Sequence, residues 1–207
     1  MGPIGCAFDT ETTGLINIHK LPQDENQPDV VQFCAKLFDE HNIYATLDLL
    51  VVPDKEIEAK AESIHGISMA KVKAAGVPRR VMLSAFHHFI KQADFICAHN
   101  LNFDKRVIQT AYHRERIEVD TFTNKKGICT MLDTTPICQI PNPNYRPGRD
   151  KFKWPSLQEA YCHLVDPNGF SGAHDAQVDV DALIAVYRAI YYGSENKASN
   201  AGNSRNA

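Results

Sequence analysis

The chain has 207 residues, 43% of them hydrophobic and 9% aromatic, which suits one domain with a core of ordinary density. Its formal net charge is only −3, so no basic field announces a nucleic-acid partner, although a local groove can differ from the whole. No apolar run approaches the roughly 18 residues of a membrane helix, no charged stretch followed by an apolar one opens the chain, and the six cysteines are too far apart for a short-loop zinc site. These features predict a soluble, cytoplasmic protein with reduced core thiols and no membrane contact.

The first strand candidate is PIGCAFDTE (3–11), apolar up to Phe8. VVQFCAKLFD (30–39) and IYATLDLLVV (43–52) are rich in β-branched and aromatic residues and joined by a tight EHN turn, which predicts an antiparallel hairpin. RRVMLSAFHHFIKQ (79–92) has helical character, DFICAHN (94–100) reads as another strand, and FDKRVIQTAYHRER (103–116) as another helix. PNPNYRPGRDKFKWP (141–155) is irregular, with four prolines and four basic residues against one acid. A short helix follows over 156–165, with Ser156 as its cap, and a last helix runs from about Asp175 to Tyr191. The order predicts an α/β sandwich around a mixed sheet. Residues 1–192 form the domain, and the small polar residues of 193–207 predict a disordered tail.

Within these elements, acids stand where a core is expected. Leu183, Val186 and Ile190 mark the apolar face of the last helix. Asp179 lies four residues before Leu183 and seven before Val186, on that same stripe. Asp181 points elsewhere, toward water, and Asp175 sits where a carboxylate caps the helix start. Asp104 stands three, four and seven residues before Val107, Ile108 and Ala111, while Lys105 and Arg106 turn outward. Asp9 and Glu11 alternate with Thr10, so both project from one strand face. Singly, each acid could be a cap or a strand end. Three separate segments that each interrupt their own apolar pattern with an acid point instead to shared cations, because clustered buried carboxylates repel. Hard divalent ions with oxygen preference, Mg²⁺ or Mn²⁺, fit such a donor set.

FDTETTG (8–14), HNLNFD (99–104) and HDAQVD (174–179) resemble the three motifs of DEDDh 3′→5′ exonucleases, the DnaQ-like family that includes polymerase III proofreading subunits, RNase T and oligoribonuclease. The resemblance spans roughly residues 4–192. It implies an RNase H-like fold with a central mixed sheet of five strands flanked by helices. It also implies that Asp9, Glu11, Asp104 and Asp179 hold two Mg²⁺, for which Mn²⁺ can substitute. One ion would be shared by Asp9, Glu11 and Asp179, the other by Asp9 and Asp104. His174, five residues before Asp179, matches the general base of the histidine subclass. Gly172 and Ala173 before it imply a loop able to close on substrate. An imidazole titrates near neutrality and can take a proton from an attacking water.

The same resemblance implies contacts to a 3′-terminal nucleotide. The backbone at Thr12 and Thr13 would meet it, Leu15 would wedge between the last two bases, and His65 would lie near the terminal sugar. Asn100 would fix the turn before Asp104, and Phe103 would pack in the core. Aromatics and cations in the Tyr145–Trp154 loop could stack on a single strand. The expected substrate is therefore the 3′ end of a single-stranded nucleic acid, and a DNA polymerase or other replication or repair protein, or a second copy of the chain, is a possible partner.

Overall fold

The computed structural model describes residues 2–193; the expected tail beyond Gly193 lies outside the described residues. The chain begins with β1 (Gly5–Thr12), β2 (Val30–Phe38) and β3 (Ile43–Val52). Helices α1 (Ala59–His65) and α2 (Met69–Ala75) follow, then the two-residue β4 (Val77–Pro78), α3 (Arg79–Gln92), β5 (Phe95–Ala98) and α4 (Leu101–Glu115). The remainder is α5 (Asp120–Thr123), β6 (Lys126–Cys129), α6 (Thr130–Cys138), α7 (Leu157–Leu164) and α8 (Ala176–Tyr191).

One mixed sheet runs β4-β3-β2-β1-β5-β6. The pairs β1–β2 and β2–β3 are antiparallel, whereas β5 lies parallel to β1 and β6 parallel to β5. The sheet has six strands rather than the expected five. The extra member is β4, two residues that pair in parallel with the end of β3, too short to leave an alternating pattern. In the β2–β3 turn, the Asp39 carboxylate accepts from the backbone of His41 and Asn42, closing the EHN corner.

Alternation along the strands divides the core in two. On one face Cys6, Phe8, Phe33, Ala35 and Ile96 pack against α3 and α4, with Phe8, Phe33, Phe86 and Phe122 in mutual ring contact. On the other, Ala7, Cys34, Phe38, Phe95 and Cys97 meet Ala176, Val180, Leu183, Ile184 and Tyr187 of α8. Ile190, expected on that stripe, is only partly buried, and Tyr187 takes its place. Helix α7 begins with a full capping box between Ser156 and Glu159. All six cysteines are free, and Cys6, Cys34 and Cys97 are buried. No helix among the described residues is long and apolar enough to cross a membrane.

Between β1 and β2, residues 13–29 form a compact loop with its ends joined by the Thr13 N–H donating to Asp29 O at 2.9 Å. Gln27, fully buried, is its core: the side-chain amide donates to the carbonyls of Asn17, Lys20 and Leu21, and its Oε1 accepts from Asn17 N–H. Behind the loop the buried Asp29 carboxylate accepts from Arg79 at 2.9 Å, from Arg114, and from the backbone N–H groups of Asp54 and Lys55. Four donors on one buried carboxylate satisfy it as an isolated charge could not be satisfied.

Candidate active site

Strands β1 and β5 run parallel, and α4 departs directly from the end of β5, so its first turn lies at the carboxyl end of β1, where open α/β sheets form their ligand crevice. Asn100 makes the sharp turn into α4 with a left-handed φ of 75°, and its carbonyl accepts from Phe103 N–H at 2.8 Å. One turn in, Asp104 is 2% exposed. Its Oδ1 accepts from the backbone N–H of Thr10 at 3.1 Å and the Thr10 hydroxyl at 2.8 Å.

Asp9 and Glu11 share the β1 face that carries Ala7, the face that α8 covers. Asp175 caps α8 by accepting from Gln177 and Val178 N–H, which starts the helix so that Asp179 falls in its first turn. His174, just before the cap, has a left-handed φ of 69°, and its backbone N–H donates to Asp179 Oδ2 at 3.0 Å. Ligating atoms of Glu11, His174 and Asp179 all lie within 4.8 Å of one another. Asp181 is exposed as expected, but it also pairs at 2.5 Å with Lys36, a buried lysine of β2.

The carboxyl groups of this cluster are all shifted upward from the ordinary carboxylate range. Burial pushes Asp9 well above the carboxylate range, with Asp104, Glu11, Asp179 and Asp175 adding repulsion. Burial and then the charges of Asp179, Asp104 and Asp175 raise Glu11 to about 8. Asp104 rises to about 7 through burial, against the lowering effect of the Thr10 hydrogen bonds. Asp179 is raised by burial, with His174 working the other way. Among the described residues none of these four acids enters an ion pair. Hard oxygen donors with uncompensated charge fit divalent cations.

The acids open into a cavity of about 400 Å³, within the size range of ligand sites. Its other walls include Thr12, Leu15, Ile64, His65, His99, Asn100 and Phe103. Leu15 is 76% exposed at the rim, an apolar side chain held out by the ordered loop beneath it. His65 Nδ1 accepts from Ile67 N–H at 3.0 Å, so its Nε2–H is the donor to Thr12 O at 3.2 Å. Burial lowers its pKa and keeps that neutral form. Phe103 is half-buried: it packs against the main core, and its exposed part lines the cavity.

Thr13 does not join the cavity. It is 3% exposed, its N–H donates to Asp29 O, its carbonyl accepts from Glu58 N–H, and its hydroxyl accepts from Asp29 N–H. With every polar group engaged behind the loop, it supports the site without facing it. Sequence reasoning overlooked His99, Glu58 and Lys60, which also line the cavity. His99 Nε2–H donates to Pro155 O at 3.0 Å, and Nδ1 accepts from the Thr130 hydroxyl at 2.9 Å, so it joins β5, α6 and the 141–155 loop. Its adjacency to Asn100 within HNLNFD was the available signal.

A family model described as exonuclease, of the RNase T type, matches residues 6–187. An exonuclease of Escherichia phage 186 is 31% identical over 193 residues, covering 90% of this chain and 87% of the phage protein. The DNA polymerase III epsilon subunit of Treponema pallidum is 35% identical over 99 residues, 47% of this chain and 41% of the subunit. Among solved structures, E. coli exonuclease I in complex with a dT13 oligonucleotide superposes with a TM-score of 0.70 at 21% identity, covering 99% of this chain. This chain spans only 44% of that protein. The family match over most of the chain, with the mixed sheet flanked by helices, places the protein among the DnaQ-like hydrolytic exonucleases, in the RNase T exonuclease family.

Proposed function

We propose that the protein is a divalent-metal-dependent 3′→5′ exonuclease that shortens single-stranded nucleic acid and releases nucleoside 5′-monophosphates. One observation carries the reading: acids from three distant segments, Asp9 and Glu11, Asp104, and Asp179, converge beside His174 with no compensating ion pair among the described residues. The dT13 bound to exonuclease I favours single-stranded DNA as the polymer.

Asp9, Glu11 and Asp179 would hold one Mg²⁺, and Asp9 with Asp104 a second. Two such ions supply charge relief at the attacking and leaving oxygens of an in-line displacement. The chain's own groups do the remainder. His174 accepts the proton of the water that attacks phosphorus. The bond from phosphorus to the 3′-oxygen of the penultimate residue breaks, the phosphate leaves on the terminal nucleotide, and the freed 3′-oxygen takes a proton from solvent. Thr12, Leu15, His65 and Asn100 position the terminal nucleotide, with Leu15 against its base. Gly172, with φ 84°, gives the loop before α8 the backbone freedom to bring the His174 imidazole to the water.

The reading is tested with 5′-labelled linear DNA and RNA strands, incubated with Mg²⁺, with EDTA, and with Asp104→Ala. A ladder shortening from the 3′ end, abolished by EDTA and by the substitution, is the expected result, and its preference names the polymer. Cleavage of a circular strand, or activity in EDTA, overturns the proposal. Named relatives within DNA polymerase III, including the PolC-type enzyme of Listeria innocua at 24% identity over 144 residues, of which the match is 9%, favour a polymerase as the partner protein over a second copy of the chain.

A further inference from the structure

Beyond the catalytic cavity, two further hollows continue across the surface in series. Asn100 and Phe103 line both the catalytic cavity and a second hollow of about 660 Å³. Leu132 and Trp154 line both that second hollow and a third of about 330 Å³. Adjacent hollows thus share walls and form one groove. The second hollow carries Lys105 and Arg106 and no carboxylate, although the chain has 25 acids to 22 bases. The sign of charge reverses on leaving the catalytic acids, as a phosphate backbone requires.

Trp154 is 61% exposed, yet its backbone is fixed on both sides. Lys153 N–H donates to Ile140 O at 3.0 Å and its ammonium binds Glu159 at 2.6 Å; Pro155 O accepts from His99, itself a wall of the catalytic cavity. A bridge between Pro141 and Phe152 closes the loop below. An exposed indole on an anchored backbone contributes little to the core, and its face is open to a stacking partner.

Resting on the exonuclease reading, we propose that this groove holds the single strand upstream of the cleaved nucleotide, with one of its bases stacked on Trp154. The strand would pass from the catalytic cavity over Phe103, beside Lys105 and Arg106, to the indole. Continuity with the cavity selects the strand over other occupants. The consequence is a preference for oligonucleotides long enough to reach Trp154.

Trp154 is the single tryptophan of the chain, so its fluorescence, excited where tyrosine does not absorb, reads the site directly. Ca²⁺ replaces Mg²⁺ to hold the carboxylate cluster, and Asp104→Ala blocks turnover in a second series. Oligothymidylates from two to about twelve nucleotides are titrated in. Quenching that is absent with the dinucleotide and saturates with the longer strands is the expected result. In Mg²⁺ kinetics, Trp154→Ala raises KM for the long strand about tenfold, which erases the advantage of long over short substrates, and Trp154→Phe restores most of it. Hydrolysis of the long strand by wild type with fluorescence unmoved overturns the groove and leaves the exonuclease reading standing. Absence of hydrolysis by wild type overturns the exonuclease reading itself. A fluorescence shift that follows protein concentration instead of oligonucleotide means a second copy covers the indole, and also overturns the groove.

Discussion

Thr10 holds Asp104 twice: its backbone N–H and its hydroxyl both donate to Oδ1, at 3.1 and 2.8 Å. One carboxylate oxygen is thereby fixed in direction, and Oδ2 is left for the site. Thr10→Val keeps the side-chain shape and removes one donor. Loss of a group that orients a metal-binding side chain costs about 10–100-fold. The expected result is a kcat about tenfold lower and a higher Mg²⁺ concentration for half-maximal rate, measured by metal titration of exonuclease turnover.

The raised carboxylates have a consequence for stability without metal. Asp104, at about 7, and Glu11, at about 8, bind protons in the folded state at pH values where an unfolded carboxylate, near 4, has lost them. The folded state therefore binds more protons across this window, and stability falls as pH rises from about 4 to 8. His65 and His99, lowered by burial, pull the opposite way below about pH 6.5. In EDTA, Asp104→Asn is expected to melt higher than wild type at pH 8 and close to it at pH 5. Each kcal/mol of relieved burial cost and repulsion corresponds to roughly 2–4 °C for a chain of this size. Mg²⁺ should raise the melting temperature of wild type more at pH 8 than at pH 5, which calorimetry at both pH values checks.

His174 offers a different separation. A general base contributes about 10²–10⁴ in rate, so on the proposed mechanism His174→Ala should lose that much kcat. The four carboxylates remain, and the variant should keep a Mg²⁺-dependent thermal shift. Wild-type turnover in the variant would remove His174 from the mechanism, and loss of the metal shift would make it a ligand instead.

Arg79 tests the support behind the loop. It binds Asp29 at 2.9 Å, Asp54 at 2.7 Å and Glu115 at 3.1 Å while only 9% exposed. Removing one partner of a buried ion pair costs about 3–5 kcal/mol; Arg114, still on Asp29, places Arg79→Ala at the low end. Urea unfolding gives that figure, and a raised KM for short oligonucleotides would show the loosening transmitted through Thr13 to Leu15.

Periodicity was informative where an element is long and one-sided. Asp104 and Asp179 stood out because α4 and α8 bury Val107, Ile108, Leu183 and Val186 around them. The same logic could not see β4 or β6, two and four residues of VP and KGIC, which exist because a neighbouring strand offers its edge. Helix α1 buries no side chain, so it has no stripe to read. Asp181 looked like plain surface because its partner, Lys36, lies 145 residues away on β2. The setting of Thr13 behind the loop was hidden for a related reason: a motif names the residues, whereas only packing decides which of them face the cavity.

Helix α8 covers the centre of one face of the sheet, over β1, β2 and β5, and also carries Asp179. A growing chain that has not reached residue 179 lacks both the cover over Ala7, Cys34 and Phe95 and the last acid of the cluster. Completion of the core and completion of the acid cluster are therefore one event during synthesis. The ribosome finishes both together, and a product truncated before residue 179 holds neither the finished core nor the full cluster.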